Sequence, residues 1–242
     1  MRNQQRIWAD EHAKGTTLDR MANEHPASGV VLFTEWLKER GVTLAGRAVD
    51  VGAGKGRNSI FLAELGYEVE ALEYISLARE CIEKRAKSAG VSEMVYVQDA
   101  NIDEPWSYED DTFDIAIDSF SSIDIETKSG REIYRNEMLR TLKPGGYALV
   151  TVCSAEDEWE AALIAKHPGP EPNSTIWPQN GKFQKDYTAV ELREFYKAFA
   201  ICQLRTIRKQ THKLGRGGIA TNYWLVLRKS KNSKQPNDPS DT

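Results

Sequence analysis

The nine residues Asp50-Val51-Gly52-Ala53-Gly54-Lys55-Gly56-Arg57-Asn58 constrain this chain more than any other stretch. They stand between a short apolar run, Ala48 to Val51, that reads as a buried strand, and a helical pattern of Phe61, Leu62 and Leu65 that stops at Gly66. Glycine at such a junction lets the backbone turn sharply and lets a ligand approach where any Cβ would collide. In an open α/β sheet the crevice beyond the carboxyl ends of the strands, where the strand order reverses, is the default place for a nucleotide-like ligand.

The rest of the pattern keeps that rhythm. Ser28 opens a helix with Val31, Leu32, Trp36 and Leu37 at helical spacing and Gly41 as its stop. Glu68 to Glu73 reads as a second strand, followed by a helix with Ser76 as N-cap, Cys81, Ile82, Ala86 and Ala89 inside, and Gly90 at its end. Met94 to Gln98 and Phe113 to Asp118 are strands three and four. A helix around Ile133, Tyr134 and Leu139, a turn at Pro144-Gly145-Gly146 and a fifth strand, Tyr147 to Val152, come next. Five such repeats predict a parallel sheet covered on both faces.

Ser154 to Asp186 breaks the rhythm with Pro168, Pro170, Pro172 and Pro178, and reads as a long functional loop. Thr188 with Glu191 forms a capping box for a helix carrying Val190, Leu192, Phe195 and Phe199. Ile201 to Ile207 and Tyr223 to Leu227, joined by a turn-rich stretch with Gly215, Gly217 and Gly218, are expected to pair as an antiparallel hairpin. The domain so defined spans 28–230. A segment at 1–27, with a short amphipathic helix from Arg6 to about Arg20, is a candidate lid over the site, the alternative being a surface His12 with an anchoring Trp8, and the polar tail 231–242 is expected to be disordered.

Carboxylates at two further strand ends sharpen the ligand. Glu73 closes the second strand about 20 residues after the glycine loop, where a carboxylate accepts from both hydroxyls of a ribose. Asp99 ends the third, within reach of an adenine amine. The spacing Asp50-x-Gly52-x-Gly54-x-Gly56 departs from the dinucleotide fingerprint, whose last two glycines are two residues apart. It resembles the first motif of class I methyltransferases. With Glu73, Asp99-Ala100, the strand ending at Asp118 and Leu142-Lys143-Pro144-Gly145-Gly146, the resemblance runs from about Ala45 to Val152.

That resemblance implies an α/β fold: a seven-stranded, mostly parallel, doubly wound sheet with a C-terminal antiparallel hairpin. It implies S-adenosyl-L-methionine as cofactor and S-adenosyl-L-homocysteine as product. It places Asp50, Gly52, Ala53, Gly54, Arg57, Asn58, Glu73, Tyr74, Asp99, Ala100, Asp118, Ser119 and Phe120 at the cofactor. Gly52 and Gly54 border its methionine and ribose portions, Glu73 holds the ribose, Asp99 and Ala100 flank adenine, and Asp118 with Ser119 lies near the methionine end. Gly54 to Ser59 together with Leu65 to Val69 is similar to the tellurite-resistance branch and related small-molecule enzymes.

Composition narrows the partners. In 242 residues, 40% hydrophobic and 28% charged, there is room for one sizeable α/β domain, and no stretch has the roughly 18 apolar residues of a membrane span. Arg2, Arg6, Asp10 and Glu11 stand where a signal peptide would be apolar, so a cytoplasmic location is expected. A net charge of -4 disfavours nucleic acid as partner, with Lys209, Lys213 and Arg216 as the local basic exception. Cys81, Cys153 and Cys202 match no zinc or redox spacing and are expected to be buried thiols. His12, His25, His167 and His212 make no metal cluster.

Methyl transfer from a sulfonium is an in-line displacement, so positioning and exclusion of water matter more than a catalytic triad. No catalytic base is identifiable. Trp8, His12, Ser121, Trp177 and Tyr187 are the candidate substrate contacts. The Asn/Asp-Pro-Pro-aromatic signature of adenine and glutamine methylation is absent after Asp118. The expected reaction is methyl transfer to a nitrogen, oxygen or sulfur of a small molecule by a monomer or homodimer. RNA or protein methylation is the alternative among enzymes, and a non-catalytic S-adenosylmethionine sensor the alternative of another class; the glycine spacing makes a nicotinamide oxidoreductase weaker still.

Overall fold

The computed structural model describes residues 3–14, 24–213 and 216–231. Helix α1 (Asn3–Lys14) precedes an alternating series: α2 (Ser28–Glu39), β1 (Gly46–Val51), α3 (Arg57–Glu64), β2 (Tyr67–Leu72), α4 (Ser76–Ala89), β3 (Val95–Gln98), β4 (Phe113–Ser119), α5 (Lys128–Thr141) and β5 (Leu142–Cys153). Then come α6 (Glu158–Lys166), a small hairpin of β6 (Ser174–Ile176) and β7 (Phe183–Lys185), α7 (Ala189–Phe195), β8 (Ala200–Lys213) and β9 (Arg216–Arg228). The main sheet has the order β3-β2-β1-β4-β5-β9-β8. β1 pairs in parallel with both β2 and β4, so the strand order reverses there, and β9 inserts antiparallel between β5 and β8.

Alternation along the strands explains why both faces are covered. Val49 and Val51 join one apolar cluster with Phe113, Tyr134 and Leu142, while Ala48 joins another with Phe33, Leu62, Ile82 and Trp224. Trp224 is fully buried, and its indole Nε1 donates to Gly29 O at 2.9 Å, so the polar tip of the ring is satisfied inside the core. Burial of one such side chain stabilises by roughly 1.5–3 kcal/mol.

Several expectations from the sequence are corrected. The stretch 154–186 is no irregular loop: Asp157 accepts from the amides of Trp159 and Glu160 and caps α6, and the β6–β7 hairpin follows. Pro144-Gly145-Gly146 lies within β5, where the pairing with β4 jumps from Phe113↔Leu142 to Ile115↔Tyr147; a Cβ at Gly146 would press to 2.9 Å from Asp114 O. Ser76 is the first helical residue of α4, and Ile75 precedes it without a side-chain cap. Val190 and Ile133 face solvent. Of the three thiols only Cys153 is buried, Cys202 being exposed. Gly217 and Gly218 belong to β9 instead of a turn. The Thr188–Glu191 capping box is present as read.

Helix α1 begins earlier than expected and reaches Lys14, while Leu18, Arg20, Gly215 and all but the first residue of the tail 231–242 lie outside the described residues. So do the side chains of Lys213 and Arg216 in the basic stretch. Among the described residues no helix is long and apolar enough to cross a membrane.

Gly56 precedes α3 with φ +80, and a Cβ there would come within 2.8 Å of Ile82 on α4. Gly56→Ala is therefore expected to destabilise the fold by roughly 1–3 kcal/mol, from left-handed backbone strain and the displaced Ile82, read as a lowered midpoint in urea unfolding.

Candidate active site

The site grows from the turn after β1. Gly52 and Gly54 take φ +65 and +57, values that a side chain rarely tolerates. The two glycines do different work. A Cβ on Gly52 would collide with Ser121, whose hydroxyl donates to Gly52 O at 3.0 Å, so this glycine allows the β1 and β4 loops to touch. A Cβ on Gly54 would meet nothing within 4 Å. Gly54 faces open space that a ligand can enter without steric hindrance.

The glycine turn is tied to the tip of β2. Ala53 N donates to Leu72 O at 2.9 Å, and Gly54 N donates to Glu73 Oε2 at 2.8 Å, while Glu73 Oε1 accepts from Ile75 N at 2.8 Å. Glu73 is 4% exposed, and burial raises its carboxyl to about 7 despite these backbone donors and the nearby Arg79. Each of its oxygens keeps a lone pair for a second donor such as a ribose hydroxyl. Arg79 of α4 donates to Glu73 O at 3.1 Å and pairs with Asp99 at 2.8 Å, linking the ends of β2 and β3.

Deeper in the crevice, two carboxylates hold the frame. Asp50 accepts from Ser59 Oγ at 2.6 Å, and burial raises it to about 6. Asp118, fully buried and also raised by burial, accepts from Ser121 N at 2.8 Å and from Tyr134 OH at 2.7 Å. Its two oxygens thus shape the β4 loop and anchor it to α5. Phe120, just beyond, takes φ +68, and its amide donates to Thr151 O. A non-glycine residue held in this region stores strain of about 1–3 kcal/mol.

Helix α1 meets the turn between β6 and β7. Lys182 stands at the centre: its ammonium lies 5.2 Å from the Trp8 ring, 4.8 Å from the Trp177 ring and 3.3 Å from Asp124 Oδ1. Asn180 donates to Glu11 Oε1 at 3.0 Å. Next to Glu11, His12 lies in the field of Lys55 of the glycine turn; burial, then that ammonium, lower it to about 4 and leave it neutral at pH 7. Burial raises Asp124 to about 6 against the pull of Lys182, with Asp118 and Glu160 adding to the rise.

Comparison with known proteins places this geometry. Residues 48–146 match the family described as "Methyltransferase domain". The chain is 25% identical over 192 residues to the probable S-adenosyl-L-methionine-dependent methyltransferase TehB of Haemophilus influenzae, an alignment that covers 76% of this chain and 57% of the relative. It thus spans little more than half the length of the curated relatives it matches. A SAM-dependent methyltransferase from Methanosarcina mazei superposes with a TM-score of 0.68 at 22% identity, over 80% of this chain and 97% of that one. A Burkholderia thailandensis 1,6-didemethyltoxoflavin-N1-methyltransferase, solved with its substrate and S-adenosylhomocysteine, superposes with 0.66 at 15% identity, over 94% and 88%. The chain has the class I methyltransferase fold.

Within this fold the residues singled out from sequence separate into groups. Gly52, Ala53, Gly54, Glu73 and Ser121 converge at the crevice. Asp50, Asp118 and Asn58 are committed within the chain, Asn58 accepting from Ala27 N at 2.9 Å. Asp99, with Ala100 beside it, lies at the outer edge and is largely exposed. Arg57 follows the turn at the start of α3, and Tyr74 and Ser119 are partly buried strand-end neighbours of Glu73 and Asp118. Trp8 and Trp177 face one ammonium, whereas Tyr187 is buried at the end of β5, its amide donating to Cys153 O. Sequence reasoning missed Asp124, Lys182, Asn180 and Glu11, whose partners are distant in the chain. Among the described residues no group of three or more His, Cys, Asp or Glu could hold a metal.

Glu73 provides a test of this electrostatic frame. Its carboxyl is raised from the ordinary 4.5 to about 7, so its contribution to stability is full below pH 4.5 and is lost as pH rises through 7. Relative to wild type, Glu73→Gln should gain about 3 kcal/mol between pH 4 and 8, measured by urea unfolding across that range. A constant difference would contradict the assigned burial of this charge.

Proposed function

We propose that the chain transfers the methyl group of S-adenosylmethionine to a nitrogen, oxygen or sulfur of a small molecule, within a site that α1 closes. The observation carrying this reading is the convergence of the unobstructed Gly54 with the buried Glu73 carboxylate at the point where the strand order reverses. A turn without side chains and a carboxylate with spare lone pairs fit the amino-acid and ribose portions of that nucleoside. When bound, it supplies an electrophilic methyl on a sulfonium.

The chain's own residues would do the rest. Glu73 would accept from the ribose, the Asp99–Ala100 strand end would flank the adenine, and the Asp118-shaped loop with Ser119 and Phe120 would border the methionine end. Trp8 and Trp177 would wall the acceptor and exclude water, so that reacting atoms meet in near-attack geometry. The buried inner face of α1 favours a small acceptor over RNA or protein, because a macromolecule would have to displace the helix. Assignment of residues 1–27 as a segment covering a catalytic domain at 28–230, acting in the cytoplasm as a monomer or homodimer, belongs to the same proposal.

Isothermal titration with S-adenosylhomocysteine tests it. A charged Glu73 is the form that accepts ribose hydroxyls, so affinity should rise about tenfold between pH 6 and 8. Glu73→Ala should weaken binding at pH 8 by at least about tenfold. Absence of binding at about 1 mM would remove the cofactor assignment. Release of S-adenosylhomocysteine on addition of fractionated small metabolites, and none with tRNA or protein fractions, is the expected result for the acceptor class.

A further inference from the structure

Helix α1 buries hydrogen-bond acceptors that the chain leaves unused. Gln4, Glu11 and His12 are 6%, 8% and 6% exposed and recur on one face of α1, at helical spacing with Trp8. Gln4 Oε1, Glu11 Oε2 and His12 Nδ1 have no hydrogen-bond partner among the described residues. The two oxygens can only accept, and the imidazole nitrogen accepts in one tautomer of the neutral ring. An unpaired buried polar atom is costly, so three on one helix face call for donors from outside the chain. This face borders the crevice: His12 lies in the field of Lys55 of the glycine turn, and Lys182, which faces Trp8, pairs with Asp124 just beyond the loop that Asp118 shapes.

The donors nearby are already committed. Asn180 Nδ2 serves the other oxygen of Glu11 at 3.0 Å, Trp177 Nε1 donates to Gln184 Oε1 at 3.2 Å, and Lys182 Nζ lies 3.3 Å from both Asp124 Oδ1 and Gln184 Oε1. The charges, by contrast, have partners: Lys182 pairs with Asp124, Lys185 with Glu191 at 3.0 Å, and Gln184 Nε2 donates to Glu160 and Asp186 at 3.0 and 2.7 Å. The two charges that act on His12, those of Lys55 and Glu11, are opposite in sign. What is missing under α1 is therefore hydrogen-bond donors and not a counter-ion. An anion would set acceptors against acceptors, and an ammonium would arrive where carboxylates are already engaged, so either charge would be desolvated without recompense. Gln4 and Glu11 stand about 10 Å apart along the helix axis with Trp8 between them, so a ligand reaching both carries donors on two sides of an apolar body.

Building on the methyl-transfer reading above, we infer that the acceptor is an uncharged aromatic molecule with at least two N–H or O–H donors, bound under α1 with those donors directed to Gln4, Glu11 and His12. The nitrogen or oxygen that is methylated uses a lone pair to form the new bond to CH3 as the S–CH3 bond breaks, and the bonding pair stays on sulfur. The proton of that N–H or O–H leaves to solvent and carries the sulfonium's positive charge with it.

The full chain, saturated with S-adenosylhomocysteine, is titrated calorimetrically with resorcinol, 3-methoxyphenol and 1,3-dimethoxybenzene, one ring with two, one and no donors. Resorcinol should bind with a dissociation constant at least about tenfold below that of 1,3-dimethoxybenzene, with 3-methoxyphenol between them. A merely apolar site reverses that order, since each methyl group adds apolar area. Gln4→Leu removes one unpaired acceptor at similar volume; it should narrow the ratio at least about threefold while the urea midpoint of the free chain stays level or rises. Glu11→Gln keeps an oxygen for Asn180 and sets a donor in place of Oε2, so it should narrow the ratio likewise and serves where Gln4→Leu fails to fold. Equal affinities, the reversed order, no resorcinol binding at about 20 mM, tighter binding of benzoate or benzylamine, or a ratio unmoved in the folded variants overturns the assignment. Because saturation with S-adenosylhomocysteine is measured first, its failure would sink the methyl-transfer reading, whereas its success without a preference for donors would sink this inference alone.

Discussion

The hydrogen bond from Gly54 N to Glu73 Oε2 is the contact on which the site's geometry turns. It joins a turn that exists only because glycine tolerates positive φ to the end of the neighbouring parallel strand, across the junction where sheet order reverses. The bond also explains why a carboxylate stays buried there at all: two backbone amides and Arg79 offset part of its desolvation without removing it, so the group remains raised and ready for further donors. Everything around it is arranged to keep that pair in register. Ala53 is pinned to Leu72, Ser121 to Gly52, and Asp118 to Ser121 and Tyr134, so β2, β1, β4 and α5 are fixed relative to one another by short hydrogen bonds at their tips.

That frame was largely legible in the sequence because its signals are local. Alternating runs such as Ile115 to Ile117 name both faces of a covered strand, and Gly66 and Gly90 mark where chain reversal requires positive φ. The Thr188–Glu191 box lies within four residues and was read directly. The misreadings share a cause. Pro144-Gly145-Gly146 carries turn residues, yet its backbone continues β5 as a bulge, because the pairing with β4 absorbs the extra residues. The prolines after Ser154 likewise concealed α6 and a hairpin, whose partners, His167 O for Thr175 and Glu160 for Gln184, are chosen by tertiary packing.

The roof of the site was less legible for a related reason. Trp8 and Trp177 were named, but their importance lies in sharing Lys182, and nothing in the spacing of residues 8, 124, 177 and 182 announces that they meet. Glu11 falls in the stretch read as a short amphipathic helix and Gln4 just before it, and neither stood out there as an inner-face residue. Only when Asn180 is seen to reach Glu11 does that polar stripe become an inner face. Burial overrides the ordinary expectation that such residues are solvated, at the cost of polar atoms left without partners.

This cost gives α1 a physical character different from that of the core helices. α2 buries Val30, Phe33, Trp36 and Leu37 and is held by apolar area; α1 buries Ile7 along with Gln4, Glu11 and His12. Its docking draws on the Lys182 ammonium facing Trp8 and on one amide bond to Glu11, each worth about 1 kcal/mol, and on burial of Ile7, against three unpaired buried atoms that oppose it by about 1–3 kcal/mol each. A ligand that satisfied those atoms would shift this balance toward the docked position. Under the proposed reading, an acceptor that satisfied those atoms would couple its own arrival to the docking of α1, and the exclusion of water that a sulfonium displacement needs would follow from occupancy.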